Sequence, residues 1–282
     1  MSLKRNSLLA AELVTFSHTL FVLPLILSGY FVVYDELILM DIFLIIIAAV
    51  SARTIGMLLN RIVDYRIDLE NPRTSSRPLP SGRVSKNFVY FFLALSIFVY
   101  LITCWSICDF VFMLSPIPVI FFIIYPYMKR FTPFCHFFLG IALSIGPIAG
   151  GVATSCDFTG LYLTLPIGIF TFFWISGFDI LYALQDYEHD VKNNIFSIPS
   201  VYGISNAIKV SSLCFALSFI AILYYSYSSS FNLLNIIIIL LILINYVFQI
   251  INSSNNNYSF FKYNSYIGIL ILILVISDIL FI

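Results

Sequence analysis

The chain reads LILMDIFLIIIAAVSARTIGMLLNRIVDYRID from residue 37 to residue 68. A helix needs about 20 apolar residues to cross the hydrocarbon core of a bilayer, so the segment 37–59 predicts a transmembrane helix. Asn60, Asp64 and Asp68 follow at intervals of four residues, which is about one helical turn. We therefore expect a membrane span that carries an amide and two carboxylates to the edge of the membrane.

The composition extends this prediction to the whole chain. Of its 282 residues, 61% are hydrophobic and 10% are charged, whereas soluble domains average about 45–50% and about 25%. Mean hydropathy is +1.01. A soluble globule of this composition would expose too much apolar surface, and the apolar runs are too long and continuous for a membrane β-barrel. The sequence predicts an all-α polytopic protein of the lipid bilayer, and its net charge of +0 gives no reason to expect a nucleic-acid partner.

Nine segments are long and apolar enough to span a membrane: 16–34, 37–59, 88–107, 110–127, 136–154, 160–179, 207–227, 231–251 and 264–282. Lys and Arg precede span 1 and follow spans 2, 4, 6 and 8, whereas the connections after spans 1, 3, 5 and 7 contain neither. The positive-inside rule then predicts a multi-pass protein with a cytoplasmic N-terminus and an external C-terminus. We expect this protein to lie in the cell (inner) membrane.

We treat residues 1–282 as a single membrane domain. Its two long polar loops, 60–87 and 180–206, both fall on the predicted cytoplasmic side. We therefore expect the functional chemistry within 53–190 and at the cytoplasmic ends of the spans. The last three spans, within 207–282, carry almost no ionisable residues and are expected to act as an apolar scaffold.

A second acidic cluster repeats the spacing of the first. Asp179, Asp186 and Asp190 stand at offsets 0, 7 and 11, and the first cluster shows the same offsets when counted from Arg53. At about 100° per residue, such positions fall within about 40° of each other on one helical face. Because each cluster ends a span and leads into a long cytoplasmic loop, we expect the two clusters to face each other.

Facing carboxylates need a cation between them. Like charges one turn apart repel, and a carboxylate at membrane depth costs roughly 2.5–3.5 kcal/mol. Mg²⁺ takes oxygen ligands and usually binds carboxylates together with substrate phosphates. The clusters therefore predict Mg²⁺ and an anionic diphosphate, whose remaining charge nearby basic residues would neutralise. These residues are Arg53, Arg61, Arg66, Lys129 and Arg130.

Other interpretations of these residues stay open. The aspartates could be interfacial solvating groups or the coupling sites of a cation-coupled secondary transporter, although a transporter would want them nearer the middle of the membrane. The arginines of loop 69–87, among them Arg73 and Arg77, could close over a diphosphate or simply mark the cytoplasmic side. Lys129, one turn after Tyr125, could bind phosphate or snorkel to the interface.

The remaining polar and small residues give weaker signals. His136 and His189 stand at the predicted cytoplasmic boundary, where we expect solvated side chains. The five cysteines are scattered through apolar runs in no zinc-site spacing, so we expect small buried hydrophobic side chains. The glycines of 146–151 lie in the fifth predicted span and favour close helix packing.

Four motifs in this order resemble the UbiA superfamily of intramembrane aromatic prenyltransferases. They are Asn60-x3-Asp64-x3-Asp68, the loop Asn71-Pro-Arg-Thr with Arg77-Pro-Leu-Pro-Ser-Gly, the pair Tyr125-x3-Lys129, and Asp179 followed by Gln185-Asp186-x3-Asp190. The likeness covers roughly residues 10–205. Within the family, the segments 16–19, 178–186 and 197–199 are similar to the branch described as 4-hydroxybenzoate polyprenyltransferase-like.

The resemblance implies a fold and an activity. The fold is nine transmembrane helices around a central cavity with a cytoplasmic polar cap. The activity is Mg²⁺-dependent transfer of a polyprenyl group from polyprenyl diphosphate to an aromatic acid such as 4-hydroxybenzoate, in ubiquinone or menaquinone biosynthesis. A futalosine-type menaquinone precursor is the alternative acceptor. A CDP-alcohol phosphotransferase would also use Mg²⁺-binding aspartates, but its Asp-Gly-x-x-Ala-Arg signature is absent from the sequence.

The resemblance also implies roles for particular residues. The expected metal ligands are Asn60, Asp64, Asp68, Asp186 and Asp190. The expected diphosphate contacts are Lys129, Arg73 and Arg77, to which the charge argument above adds Arg61. The expected catalytic residues are Asp179 as acceptor of the ring proton, Arg53 as partner of the aromatic carboxylate, and Tyr125 as a ring that stabilises an allylic cation. Tyr182 is a second candidate for that ring.

Overall fold

A computed structural model describes residues 3–33, 35–229, 232–253 and 260–280, with the side chains of 3–7, 16–21 and 260–262 outside the description. The motif at 16–19 therefore lies outside the described side chains. Every regular element in the described ranges is helical, which confirms the all-α class.

The helices are α1 (Leu3–Leu13), α2 (Phe16–Val33), α3 (Leu39–Val63), α4 (Tyr65–Glu70), α5 (Lys86–Ile107), α6 (Asp109–Leu114), α7 (Pro116–Met128), α8 (Cys135–Ser155), α9 (Phe158–Ala183), α10 (Tyr187–Lys192), α11 (Ile198–Tyr202), α12 (Ile204–Ser228), α13 (Leu233–Ile251) and α14 (Phe260–Leu280).

Eight stretches of helix among the described residues are long and apolar enough to cross a membrane. They are Leu39–Val63, Lys86–Ile107, Asp109–Met128, Cys135–Ser155, Phe158–Lys192, Ile204–Ser228, Leu233–Ile251 and Tyr263–Leu280. These coincide with predicted spans 2 to 9, and α2 coincides with predicted span 1. The polytopic membrane class is therefore confirmed, while the count of nine spans and their orientation stay predictions.

Helices α2, α8 and α9 pack at the centre of the bundle, and glycines bring two of them unusually close. A Cβ atom on Gly29 of α2 would overlap the backbone carbonyl of Pro147 on α8. A Cβ atom on Gly150 of α8 would overlap the backbone carbonyl of Ile26 on α2. Small residues allow such close approach of backbones in a membrane, so the packing role predicted for 146–151 is confirmed.

Buried polar pairs attach α13 and α14 to the rest of the bundle. Nε1 of Trp174 on α9 donates to Oδ1 of Asn264 on α14 over 2.7 Å, and Asn264 Nδ2 donates to Oε1 of Gln249 on α13 over 2.9 Å. Nδ2 of Asn235 on α13 donates to Oδ1 of Asp278 on α14 over 2.6 Å. Because lipid offers no competing partners, such pairs fix the register of apolar helices.

Two of the five cysteines form a disulfide, so the expectation that they serve only as small buried hydrophobic side chains was wrong for this pair. Cys108 lies between α5 and α6, Cys156 follows α8, and their Cα atoms are 6.3 Å apart. They are separated by 48 residues, so only the meeting of two helix ends brings them together. Cys104 and Cys214 are buried, as expected, and Cys135 is half-buried.

Candidate active site

One end of the bundle opens into a cavity of about 260 Å³. Its walls come from α3, α4, the loop that follows α4, and the facing ends of α7, α8, α9 and α10. Of the twelve residues expected as metal ligands, diphosphate contacts or catalytic residues, all except Arg61 line this cavity. Arg66 and Arg130, which the charge argument also named, do not line it. The packing therefore brings both acidic clusters to one enclosed space.

The first acidic cluster keeps its one-turn spacing across a break in the helix. Helix α3 ends at Val63 and α4 begins at Tyr65. The backbone N–H of Asp64 nevertheless donates to the carbonyl of Asn60 over 2.9 Å, and that of Asp68 donates to the carbonyl of Asp64 over 2.8 Å. The chain thus continues to turn at helical spacing, and all three polar side chains reach the cavity.

Asp64 is the most strongly compensated carboxylate of this cluster. It is 3% exposed, and its Oδ2 accepts from Nζ of Lys129 over 2.6 Å and from Nδ2 of Asn60 over 2.9 Å. Oδ1 has no hydrogen-bond partner among the described residues, although the guanidinium of Arg130 lies 3.5 Å away. A buried carboxylate oxygen without a donor is costly, so Oδ1 is open to a cation.

Asp68 is shared by two arginines with different surroundings. Its Oδ1 accepts from Nη1 of Arg77 over 2.7 Å, whereas Oδ2 lies 3.8 Å from Nη1 of Arg61 and has no hydrogen bond among the described residues. The other nitrogens of Arg61 donate to Thr15 Oγ1 over 3.1 Å and to the carbonyl of Leu13 over 3.4 Å. This geometry does not support the phosphate contact predicted for Arg61, which instead attaches α3 to the junction of α1 and α2.

The loop 71–85 carries two arginines over the cavity. Asn71 stabilises its first turn, because its Oδ1 accepts from the backbone N–H of Arg73 over 2.9 Å. Nδ2 of Asn71 donates to Oδ1 of Asp186 over 2.9 Å, so the same side chain attaches the loop to the second acidic cluster. Near the end of the loop, Gly82 has a φ of +73°, a conformation that glycine adopts without strain.

The second cluster is spread over a change of helix type. A 3₁₀ turn (Leu184–Asp186) separates α9 from α10. Asp186 accepts from Nε of Arg73 over 2.8 Å and from Nη2 of the same guanidinium, whose Nη1 donates to the hydroxyl of Tyr182 over 2.8 Å. Burial disfavours the charge of Arg73, but these hydrogen bonds and the attraction of Asp186 and Tyr182 outweigh it and raise the pKa of Arg73. Its guanidinium is therefore charged at every physiological pH.

Asp190 lies on α10 with fewer donors around it. It is 9% exposed, and its Oδ2 accepts from Oγ of Ser197 over 3.3 Å. Nδ1 of His189 lies 3.6 Å from Oδ1 of Asp190, and both ring nitrogens of His189 are buried without a hydrogen bond to the described residues. The expectation of a solvated His189 was therefore wrong.

Asp179 lies on α9, about two turns before Asp186, and pairs with His136 of α8. Nδ1 of His136 is 2.7 Å from Oδ2 of Asp179. His136 is only 2% exposed, so the expectation of a solvated side chain was wrong here too. The reason is tertiary, because the N-terminus of α11 at Ile198 covers the first turn of α8 and contacts this ring.

A second, apolar pocket of about 100 Å³ adjoins the polar cavity. Arg53 and Leu143 line both spaces, whereas Tyr125 lines the polar one. Nε of Arg53 is buried and has no hydrogen-bond partner within the described part of the chain. Arg53 therefore provides an unsatisfied donor at the boundary between polar and apolar space, which suits the acidic group of an otherwise apolar ligand.

The donor set of the cavity fits a hard divalent cation. Among the described residues that line the cavity, two buried carboxylate oxygens have no hydrogen bond, Oδ1 of Asp64 and Oδ2 of Asp68, and carboxylate oxygens are preferred ligands of Mg²⁺. Within the described ranges, no three His, Cys, Asp or Glu side chains form a ready-made metal cage. That finding agrees with an ion that completes its shell with water and substrate phosphates.

The sequence analysis assigned no site role to three residues that the structure brings into the site. Asn71, His136 and Ser197 each hydrogen-bond to a carboxylate of the predicted set. Asn71 gave a usable signal, since an asparagine before proline favours a turn. His136 and Ser197 gave none, because their partners belong to other segments of the chain.

The fold and this cavity agree with the comparison to known families. Residues 21–267 match the UbiA prenyltransferase family. The chain belongs to that family, because the match covers well over half of its length.

Curated relatives share a common description. The 4-hydroxybenzoate octaprenyltransferase of Marinomonas sp. (strain MWYL1) is 32% identical over 163 residues, which are 57% of this chain and 57% of that protein. The 4-hydroxybenzoate geranyltransferase 1 of Lithospermum erythrorhizon is 33% identical over 163 residues, which are 58% of this chain and 53% of that protein. The chain thus spans a little over half the length of the curated relatives it matches.

Solved structures share the fold over almost the whole chain. The apo structure of a UbiA homolog from Aeropyrum pernix K1 has a TM-score of 0.84 at 26% identity, and the match covers 93% of this chain and 98% of that one. A UbiA homolog from Archaeoglobus fulgidus bound to GPP and Mg²⁺ has a TM-score of 0.71 at 19% identity, with coverage of 96% and 99%. At 19% identity, the likeness to the Archaeoglobus fulgidus protein shows a shared fold and nothing more.

Proposed function

We propose that this chain is a single-domain membrane prenyltransferase, with its active site on the cytoplasmic side. It transfers a polyprenyl group from polyprenyl diphosphate to an aromatic acid such as 4-hydroxybenzoate, in ubiquinone or menaquinone biosynthesis. One observation carries the proposal: both acidic clusters and three basic residues, Lys129, Arg73 and Arg77, line the same polar cavity, which adjoins an apolar pocket. A ligand with an anionic head and an apolar tail matches this combination.

The head of the substrate is a diphosphate in this proposal. Asn60, Asp64, Asp68, Asp186 and Asp190 would hold Mg²⁺, which supplies positive charge to the departing diphosphate. The three basic residues named above, Lys129, Arg73 and Arg77, would contact the remaining phosphate oxygens. Lys129 and Arg73 are already ion-paired with carboxylates of the cavity, so they are held within reach of a ligand bound there.

The acceptor enters beside the allylic carbon. Arg53, whose Nε has no partner among the described residues, would bind the carboxylate of the aromatic acid. The allylic C–O bond breaks and its electron pair leaves with the diphosphate. The ring carbon beside the hydroxyl then supplies the electron pair of the new C–C bond, and its proton passes to the carboxylate of Asp179, which restores the aromatic ring.

The walls protect the allylic cation from water. Rings of Tyr125, Phe178 and Tyr182 line the cavity, and aromatic faces stabilise cations. The apolar pocket beyond Arg53 excludes water from the reacting carbon and accommodates an apolar chain. The gathering of the carboxylates at one end of the helices favours this chemistry over cation-coupled transport, which needs ion sites near the middle of the membrane.

The direct test uses purified protein in lipid nanodiscs with Mg²⁺, a polyprenyl diphosphate and a panel of aromatic acids that includes 4-hydroxybenzoate and a futalosine-type acid. Mass spectrometry should detect a C-prenylated acid that disappears when Mg²⁺ is chelated.

Asp64→Ala and Asp186→Ala should each abolish the product without preventing membrane insertion. Asp157→Asn, at the opposite end of α9 where the side chain caps the helix, is the matched control and should remain active. A panel without any prenylated product would refute the proposal, and full activity in both alanine variants would refute the metal assignment.

A further inference from the structure

His136 is a buried histidine for which the transfer mechanism above has no use. Its ring lies between three helices. Nδ1 is 2.7 Å from Oδ2 of Asp179 on α9, and Nε2 accepts from the backbone N–H of Ile198 at the start of α11 over 3.3 Å. With 2% exposure, the ring has no bulk water to supply either hydrogen bond.

These two contacts decide where the ring carries its proton. A backbone N–H can only donate, so Nε2 of His136 must be the unprotonated nitrogen. A neutral imidazole then carries its hydrogen on Nδ1, which donates to Oδ2 of Asp179. The ring is therefore a fixed donor that orients this carboxylate.

The segment before α11 is itself attached to the site, which makes this contact stable. Ser197 caps α11 through the backbone N–H of Ser200 over 3.2 Å and donates from Oγ to Asp190 over 3.3 Å. The N–H of Phe196 donates to the carbonyl of Lys129 over 2.8 Å. The N–H of Ile198 thus comes from a segment that has hydrogen bonds to both sides of the cavity.

Asp179 is left with one oxygen for chemistry. Its side chain is 25% exposed and lines the polar cavity, and Oδ1 has no hydrogen bond among the described residues. The titratable and charged groups around the pair are Cys135 on α8, Tyr125 on α7, Arg53 on α3, and Tyr182 and Asp186 beyond the same end of α9.

We propose that His136 is a positioning residue for the acceptor half of the reaction. As the Nδ1–H tautomer set by Ile198, it holds the carboxylate of Asp179 through Oδ2, so that Oδ1 stays directed at the cavity and receives the ring proton of the aromatic acid. His136 gains and loses no proton in the cycle, because Nε2 is occupied by a backbone N–H. This inference rests on the proposed prenyl transfer.

The test compares two substitutions of the same residue. His136→Ala removes both hydrogen bonds, whereas His136→Asn keeps an amide N–H close to the position of Nδ1. We expect His136→Ala to lower kcat by about 10- to 100-fold, the effect of losing one hydrogen bond to a charged group. The acid limb of its pH–kcat profile should move, because the proposed proton acceptor loses its hydrogen-bond donor. His136→Asn should restore most of kcat and the original acid limb.

Binding separates this role from a purely structural one. The affinity for Mg²⁺ with inorganic pyrophosphate, measured by calorimetry, should be unchanged in both variants, since His136 touches neither cluster of proposed metal ligands. Ser144→Ala, which removes a hydrogen bond within the same helix α8, is the matched control and should change neither kcat nor the pH profile. His136→Leu replaces the alanine variant if alanine prevents folding, and the same expectations apply.

Three outcomes would overturn the inference. A wild-type kcat and pH profile in His136→Ala would show that Asp179 does not depend on the histidine. A parallel loss of kcat and of pyrophosphate binding in both variants would show that the residue only supports the fold. A wild-type protein without prenyl-transfer activity would refute the proposed function and this inference with it. If the wild-type protein shows Mg²⁺-dependent transfer and His136→Ala is unaffected, only this inference is refuted.

Discussion

Lys129, at the end of α7, donates a hydrogen bond from Nζ to Oδ2 of Asp64 over 2.6 Å. Lys129, which we propose to bind phosphate, therefore neutralises Asp64, which we propose to bind the metal. Arg73 and Asp186 form a second pair of the same kind. A ligand-free site of this composition is stable because its own opposite charges compensate each other, and Mg²⁺ and diphosphate must exchange partners with both pairs.

This exchange predicts opposite effects of one substitution on two ligands. Lys129→Gln removes a competitor for Asp64, so Mg²⁺ alone should bind roughly tenfold more tightly. The same variant loses a phosphate contact, so Mg²⁺ with inorganic pyrophosphate should bind roughly tenfold more weakly. Calorimetry measures both affinities. The control is Lys192→Gln, an exposed lysine of α10, which should change neither. Weakening of both ligands by Lys129→Gln would contradict the exchange.

The two arginines of Asp68 should respond differently to substitution. Arg61→Gln breaks buried contacts to Thr15 and Leu13 and should lower the free energy of unfolding by about 1–3 kcal/mol, with an unchanged KM for polyprenyl diphosphate. Arg77→Gln, at the cavity wall, should raise that KM several-fold and affect stability less. Thermal unfolding in detergent and steady-state kinetics separate the two effects. If Arg61→Gln raised the KM for polyprenyl diphosphate and left stability unchanged, Arg61 would be a phosphate contact and not a structural residue.

Two glycines of α8 provide a test of helix packing. A Cβ atom on Gly150 would overlap the backbone carbonyl of Ile26, whereas one on Gly146 would meet only the side chain of Ile26 at 3.2 Å. Gly150→Ala should therefore destabilise the protein by about 1–3 kcal/mol through overpacking. Gly146→Ala should cost much less, because a flexible side chain can move away. Equal thermal midpoints for the two variants in detergent would show that α2 and α8 are not in close contact.

The disulfide offers a test of how the protein is oriented in the membrane. Cys108 and Cys156 lie at the end of the bundle opposite the proposed catalytic cavity, and disulfides persist in oxidising compartments. In a variant whose other three cysteines are serine, a membrane-impermeant maleimide should label these two residues only after reduction and only from the external face. Labelling from the cytoplasmic face would reverse the predicted orientation of every span.

Local properties of the chain were enough to predict the class of fold and to select the residues proposed for the site. Apolar runs of spanning length predict helices wherever they occur, and eight of the predicted spans match described helices that could cross a membrane. The intervals of four residues in Asn60, Asp64 and Asp68 persist even where α3 gives way to α4. Both properties depend on neighbouring residues alone, which is why a sequence reveals them.

The partners of each charged group depend on segments that are distant in sequence. Lys129 meets Asp64 across 65 positions, Arg73 meets Asp186 across 113, and His136 meets Asp179 across 43. No periodicity connects such positions, so the sequence predicted a solvated His136, which is buried, and gave no sign of the contacts that Arg61 makes with Thr15 and Leu13.

The sequence by itself determined that this is a helical membrane protein with two acidic clusters at the ends of its spans, because hydrophobic length and helical spacing are local quantities. Only the tertiary structure decided that those clusters share one cavity, which cation neutralises which carboxylate, and which histidine orients Asp179. The physical reason is that hydrogen bonds and ion pairs act over a few ångströms, and helix packing alone brings residues of different spans within that distance.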